Sequence, residues 1–420
     1  AMPAPMQPAN HLRALRALCA VDACGSTVAA AQALHLSQSS VVRAVQSLEA
    51  VLGEVLFERS GRGMVATEMG RGLALRSRRA LSDLASADSR GRKPTGPQSL
   101  AWIASRLAAG TGARHMAVLL ALAQAGSEAA GAGQLGISQS AIHQTLAQLE
   151  HMAGAALFVR GRKGLRATEA GESVQRAFKL ARAELDQAGD ELAARRGVIQ
   201  GRLVIGTLPF STGRLLSEAV DQILCAHPGV GVTIIDGTYD ALLHQLRHAD
   251  IDLLIGALRP VLPGLELQQE TLFLDRLVVV ARARHPLAHR PDLNWQDLRG
   301  QAWIMPMSNT PAQTAFEQAL QVAAIPLPGD ALRVNSALMM QALLAQSDRL
   351  ALMSARHLQR EIDAGLLVVL GVPVRHAPRR IGMIHRAGYL PTPAAQFLLA
   401  ALRDIARTIV DDLHECPSNK

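Results

Sequence analysis

The chain has 420 residues, 49% of them hydrophobic and 19% charged, and a formal net charge of +8. That length supports two to four domains with proper cores, and the balance is that of a globular chain, neither disordered nor fibrous. The charge is unevenly placed: residues 1–99 hold 12 Lys/Arg against 7 Asp/Glu, residues 100–199 hold 11 against 8, and residues 200–420 hold 20 of each. A basic front half joined to a neutral back half points to a nucleic-acid module attached to something else. No apolar run reaches the ~18 residues of a membrane span, and the Pro-rich stretch from Ala1 to Asn10 lacks a signal-peptide pattern, so a disordered leader and a cytoplasmic location with no membrane partner are expected.

In chain order, the first pattern is a short helix, Val28 to Leu34, then a turn, then Ser37 as a helix N-cap. Val41, Val45 and Leu48 follow at helical spacing on one face, leaving Ser40, Arg43, Gln46 and Ser47 on the other. Two short helices so joined form a helix-turn-helix. Leu56 to Arg59 and Met64 to Thr67 read as two short strands around the tip Ser60-Gly61-Arg62-Gly63, where arginines suit phosphates or the minor groove. Helix-turn-helix geometry is also a packing motif without DNA; the charge partition favours DNA. Cys19 and Cys24 lie where the preceding helix ends and read as free thiols. With Cys225 and Cys416 they form no Cys-x-x-Cys pair, and the 14 histidines show no ligand spacing, so neither metal nor cofactor is expected.

In its order of Ser-Gln, Leu-Glu, Leu-Phe-x-Arg and Thr-x-x-Gly, this stretch resembles the winged helix-turn-helix of LysR-type transcriptional regulators, with Ser39 where that family usually has Pro. The resemblance implies that Ser37, Gln38, Ser39, Ser40, Arg43 and Gln46 face the major groove of double-stranded DNA, with Arg59 and Arg62 on the backbone.

The pattern then recurs 101 residues later. Ser37-Gln38-Ser39 returns as Ser138-Gln139-Ser140, Leu48-Glu49 as Leu149-Glu150, Leu56-Phe57 as Leu157-Phe158, Arg59 as Arg160, and Thr67-Glu68 and Gly70 as Thr168-Glu169 and Gly171. Chance does not hold register that long. Ile142, Leu146 and Leu149 keep the buried stripe, but Val42-Arg43 becomes His143-Gln144 and Gln46 becomes Ala147. Arg grips guanine, Gln prefers adenine and Ala reads only a thymine methyl, so the second copy should read a different sequence or read less specifically. Ser138, Gln139, Ser140, His143 and Gln144 are its expected DNA-facing residues. Arg160, Arg162 and Lys163 form a wing at least as basic as the first. A tandem departs from the family's single module and leaves open a spacer or oligomerisation role for the second.

Residues 10–90 are assigned to the first module with a helical extension, 91–110 to a basic Pro/Gly linker, 111–171 to the second module, 172–197 to a linker helix and 199–410 to a further domain. Val174, Phe178, Ala181, Leu185, Ala188 and Leu192 form a heptad seam. In LysR-type proteins the equivalent helix makes the dimer, so a homodimer or homotetramer through this helix is implied; an amphipathic helix lying on its own domain is the alternative.

From Gly201, strands and helices alternate with short connections, which indicates parallel α/β layers. Crossings near residues 273–280 and 365–374 make two lobes. The predicted fold is therefore multidomain: two α-rich winged helix-turn-helix domains followed by a two-lobed α/β domain resembling periplasmic binding proteins. Gln346 to Ala351 departs from the family's usual Gly-x-Gly turn. Ligands of open α/β lobes sit at strand carboxyl ends and helix N-termini. This nominates Thr207, Pro209, Ser211 and Thr212 in one lobe and Ser308, Asn309, Thr310, Asn335 and Ser336 in the other. Each hydroxyl is also a plain cap.

No Gly-x-Ser-x-Gly elbow, Walker loop or acid/base pair is present, so no catalytic residue is nominated. The expected function is a sequence-specific regulator of LysR type controlled by a small-molecule effector, an organic acid or sugar-like metabolite. A ligand-binding protein with a spacer module and an architectural DNA binder are the alternatives.

Overall fold

Thirteen residues after Leu12 the backbone of Gly25 turns left-handed (φ 73°), which ends the first helix, α1 (Leu12–Cys24), and starts α2 (Thr27–Leu34). This computed structural model describes residues 6–61, 63–88, 99–162, 164–210, 213–329, 332–375 and 378–411, and divides into units of residues 1–199 and 200–420. In the first unit α3 (Gln38–Leu52), β1 (Phe57–Ser60), β2 (Gly63–Ala66) and α4 (Glu68–Ser86) follow. After a short 3-10 turn at Ala101–Ile103 come α5 (Arg106–Gly110), α6 (Ala113–Ala125), α7 (Glu128–Leu135), α8 (Gln139–Ala153), β3 (Phe158–Gly161), β4 (Gly164–Ala167) and α9 (Glu169–Arg195). From α6 to β4 every boundary repeats α1 to β2 at an offset of 101.

The repeated residues hold each copy together. Ser37 and Ser138 cap α3 and α8 through the N–H groups of Ser40 and Ala141, each at 3.2 Å. Glu49 and Glu150 reach forward to accept from the N–H of Leu56 and Leu157, both at 2.8 Å. Thr67 and Thr168 cap the long helices and donate back to the carbonyls of Val55 (2.9 Å) and Ala156 (2.6 Å). Gly70 and Gly171 are needed because a Cβ there would sit 2.2 Å from the Leu56 carbonyl and 2.0 Å from that of Leu157. The N–H of Met64 and Leu165 ties each hairpin to the carbonyl of Gly25 and Gly126, at 2.9 and 2.7 Å. Both copies contribute to one continuous apolar core, in which Cys19 is buried. Cys24 is only half-buried and Cys225 is exposed; Cys416 lies outside the described residues.

The linker helix follows the alternative reading, an amphipathic helix lying on its own unit. Val174, Phe178, Ala181, Leu185, Ala188 and Leu192 are all buried, and the surface covering α9 is α4 of the same chain. The seam expected to make a homodimer is thus closed internally. The stretch that leads into the second copy, assigned to the linker, contains a 3-10 turn and the short α5. The linker itself, residues 91–98, lies outside the described residues.

The second unit contains β5 (Gly201–Thr207), α10 (Gly213–Ala226), β6 (Val230–Asp236), α11 (Tyr239–Arg247), β7 (Leu253–Ala257), β8 (Leu267–Asp275), β9 (Leu277–Arg282), β10 (Trp303–Ile304), α12 (Pro311–Val322), α13 (Ala337–Gln346), β11 (Leu350–Ser354), α14 (Gln359–Asp363), β12 (Leu367–Leu370), β13 (Arg379–Arg386) and α15 (Pro393–Asp411). They build two sheets, ordered β6-β5-β7-β13-β8 and β10-β11-β9-β12. The chain passes between them at Arg276 and again between β12 and β13. The sheets are mixed where parallel layers were expected. β5, β6 and β7 are parallel, but β13 runs antiparallel to β7 and β8, and β9 antiparallel to β11 and β12. The antiparallel partners are strands that flank the two crossings, where no helix intervenes to turn the chain back. Among the described residues, no single helix is long and apolar enough to cross a membrane.

Candidate nucleic-acid interface and ligand cavity

Val41, Val45 and Leu48 turn α3 inward, so Ser37, Gln38, Ser39, Arg43 and Gln46 are exposed, with Ser40 half-buried. Four of these are partly committed to the fold. Ser37 Oγ lies 2.7 Å from Ser40 Oγ and 3.1 Å from Ser39 Oγ, and Gln38 donates to Thr27 Oγ1 on α2 at 3.2 Å. Arg43 donates only its Nε to the Ser39 carbonyl, at 3.3 Å, and carries an exposed guanidinium. Arg59 is exposed on β1, while Arg62 lies outside the described residues.

In the second copy Ser138, Gln139, Ser140, His143 and Gln144 are likewise exposed on α8, and Arg160 and Arg162 on and beside the β3–β4 hairpin. Lys163 lies outside the described residues. One difference was missed by comparing only α3 with α8. Glu128 occupies the position of Thr27, and its carboxylate lies 3.7 Å from both Arg160 Nη2 and His143 Nδ1. An acid therefore sits among the cations expected to meet phosphate. The exchange was readable at the same offset of 101.

A cavity of about 500 Å³ lies between the two sheets of the second unit. Its walls are the segments after β5, β6, β7 and β10, the carboxyl ends that the fold rule names. Of the nominated residues, Pro209, Ser308, Asn309, Thr310 and Asn335 line it. Thr207 does not: it is buried, with its hydroxyl toward the Leu208 carbonyl (3.5 Å). Ser336 is not on the wall either and caps α13 through the Met339 N–H at 3.3 Å. Thr310 faces the cavity while capping α12 through the Gln313 N–H. Ser211 and Thr212 lie outside the described residues.

The charged lining was not anticipated. Arg259 stacks over Tyr239, 4.4 Å from the ring centre, and burial holds its pKa below the ordinary value. Arg379 donates to Asp275 Oδ2 at 2.5 Å, and Asp275 also accepts from Ser354 at 2.9 Å. The Tyr239 hydroxyl and Arg379 Nε are buried without a hydrogen-bond partner. The remainder of the wall is largely apolar, including Leu208, Phe210, Ile304, Met307 and Met353. Arg379 is thus already paired and Asp240 adds an acid to the lining, so the case for a small anion with an apolar body rests on Arg259 and the unsatisfied Tyr239 hydroxyl.

The model of the LysR substrate binding domain matches residues 196–407, and that of the bacterial regulatory helix-turn-helix protein, lysR family, matches twice, at residues 12–71 and 113–172. The chain is 32% identical over 395 residues to the HTH-type transcriptional regulator GalR of Pseudomonas putida, spanning 94% of this chain and 97% of that protein. That span is too long to omit either helix-turn-helix segment. The HTH-type transcriptional regulator PcaQ of Agrobacterium fabrum is 27% identical over 299 residues, 71% of this chain and 96% of its own. Among solved structures, a full-length OxyR variant from Pseudomonas aeruginosa shares the fold, with a TM-score of 0.50 and 18% identity over 70% of this chain and 93% of that one.

Proposed function

Because this chain belongs to the LysR family of transcriptional regulators, and is a regulator and not an enzyme, we propose that both helix-turn-helix copies are winged DNA-binding modules. The second unit then acts as a two-lobed, periplasmic-binding-protein-like effector domain. DNA binding or activation in the cytoplasm is controlled by a small organic acid in its cavity. The observation that carries the DNA reading is α3, whose Arg43 and Gln46 stand exposed on a helix with its apolar face fully used. Arg43 reads a base edge, and Arg59 holds the backbone. The apolar cavity wall and Arg259 support an acid over a sugar-like effector, since a polyhydroxyl ligand needs many more polar partners.

The second copy reads more weakly, because Glu128 offsets Arg160 and His143. A ligand can act only through different affinities for two arrangements of the protein. Sequence-selective footprinting with and without a panel of small organic acids tests the whole reading. Arg43→Ala should cost about 1–3 kcal/mol on the specific site and much less on random DNA. Equal losses on both rule out base reading by Arg43.

A further inference from the structure

The two long helices of the first unit run antiparallel, with Glu68 at one end of α4 beside Arg195 at the far end of α9 (2.9 Å). Between them lies a buried ion cluster. Arg76, 1% exposed, donates to Glu184 at 2.9 Å, to Gln187 at 2.8 Å and to Glu191 at 2.9 and 2.6 Å, while Arg79 reaches Glu184 at 2.7 Å. These residues break the internal repeat. At the offset of 101, Arg76 and Arg79 correspond to Ala177 and Leu180, and Glu184, Gln187 and Glu191 to Asp83, Ser86 and Arg90.

Like pairs are therefore disfavoured. Two α9 helices would set Glu184 and Glu191 opposite Ala177 and Leu180, which cannot pair with a carboxylate as Arg76 and Arg79 do. Two α4 helices would offer Arg76 only the shorter Asp83, with Ser86 in place of Gln187. Only α4 against α9 matches both charges, and specificity rests on such differences between right and wrong partners.

Two further contacts hold the pair within one chain. The connecting segment starts and returns at one point, since the buried Asp88 carboxylate accepts from Ser105 Oγ at 3.0 Å and Arg106 N–H at 2.9 Å. The lead-in to each copy also packs on the long helix of the other: α5 lies on α4, and the turn at Pro8–His11 lies on α9, where Pro8 Cδ is 3.5 Å from where a Cβ of Gly189 would be.

We propose that one chain is by itself an unlike counterpart of a linker-helix dimer. α4 and α9 pair in cis, so a single polypeptide presents α3 and α8 together to two adjoining, non-identical half-sites of double-stranded DNA. The pairing stands on the contacts above, and the half-site claim rests on the DNA reading proposed above.

The test uses the full chain carrying Glu68→Cys and Arg195→Cys, with Cys24, Cys225 and Cys416 replaced by Ser, in tagged and untagged forms mixed before treatment with a short bismaleimide. The expected product joins positions 68 and 195 within one chain, keeps monomer mobility and is independent of protein concentration. Tagged-to-untagged products in near-statistical yield would overturn pairing in cis. On an operator selected by footprinting, Arg43→Ala should weaken protection of one kind of half-site by about 5- to 150-fold, and Gln144→Ala with Arg160→Ala should weaken that of the other. Loss of the same half-sites by both variants would overturn the half-site claim. A chain that links internally but protects no DNA keeps the pairing and overturns the DNA reading, with the half-sites that depend on it.

Discussion

Replacing Arg76 by Met keeps most of the side-chain volume and removes the charge at the centre of the α4–α9 interface. Burial by itself would lower the Arg76 pKa, but its bonds to Glu191 and Glu184 outweigh that and hold it above the ordinary value, so the guanidinium is charged and fully committed. Breaking a buried pair by removing one partner costs about 3–5 kcal/mol. The low end applies, because the Glu191 side chain is 31% exposed and can rehydrate, and Glu184 keeps Arg79. A loss of about 3 kcal/mol in a unit of this size lowers the melting temperature by about 6–12 °C, at about 2–4 °C per kcal/mol. Differential scanning calorimetry of the full chain without DNA reads this as a downward shift of the transition belonging to the first unit. Adding Glu184→Leu and Glu191→Leu to Arg76→Met should recover most of the loss, since a well-packed apolar triad replaces the ionic one. A shift under about 2 °C for Arg76→Met would mean that the cluster is solvated in solution, and the argument for unlike pairing would fall with it.

Glu128→Thr restores the first copy's residue and releases Arg160; a plot of log affinity against log salt should steepen by about one phosphate contact, and an unchanged slope would show that Glu128 does not screen the second wing. Arg259→Gln should weaken the best-responding organic acid by about 10-fold or more, as expected for a hydrogen bond to a charged group, while leaving DNA affinity without effector unchanged; isothermal titration giving equal affinities would move the anion site elsewhere in the cavity. Burial holds the Asp252 carboxyl above its ordinary pKa, although the Val204 N–H and the nearby Arg386 and Arg202 oppose the shift. The folded chain then keeps this proton to higher pH than the unfolded chain, so its contribution to stability falls as pH rises from about 4 through the folded value. Asp252→Asn keeps an acceptor for Val204 N–H (2.9 Å in the parent) and should flatten that fall in denaturant titrations; an unaltered pH slope would contradict it.

What the sequence alone determined about this protein is local in the chain. The repeat was legible because its residues act within a few turns of themselves: Ser37 caps Ser40, Glu49 reaches Leu56, and Thr67 caps Gly70. The positions of Pro209, Ser308, Asn309 and Thr310 were legible from a rule about strand ends. That rule could not say which way a side chain at a strand end turns, and Thr207 is buried off the cavity wall. Tyr239, Arg259 and Arg379 were invisible because they follow β6, follow β7 and open β13, and only the order β6-β5-β7-β13 brings them to one wall. The seam of α9 shows the same limit most clearly. Its period fixes that one face must be covered, yet the pattern Val174, Phe178, Ala181, Leu185 is identical whether the cover comes from a second chain or from this one. The tertiary structure decided it through Arg76 and Glu184, 108 residues apart. Periodicity reports how much apolar surface a helix must bury; the choice of partner rests on charges that meet only once the chain has folded.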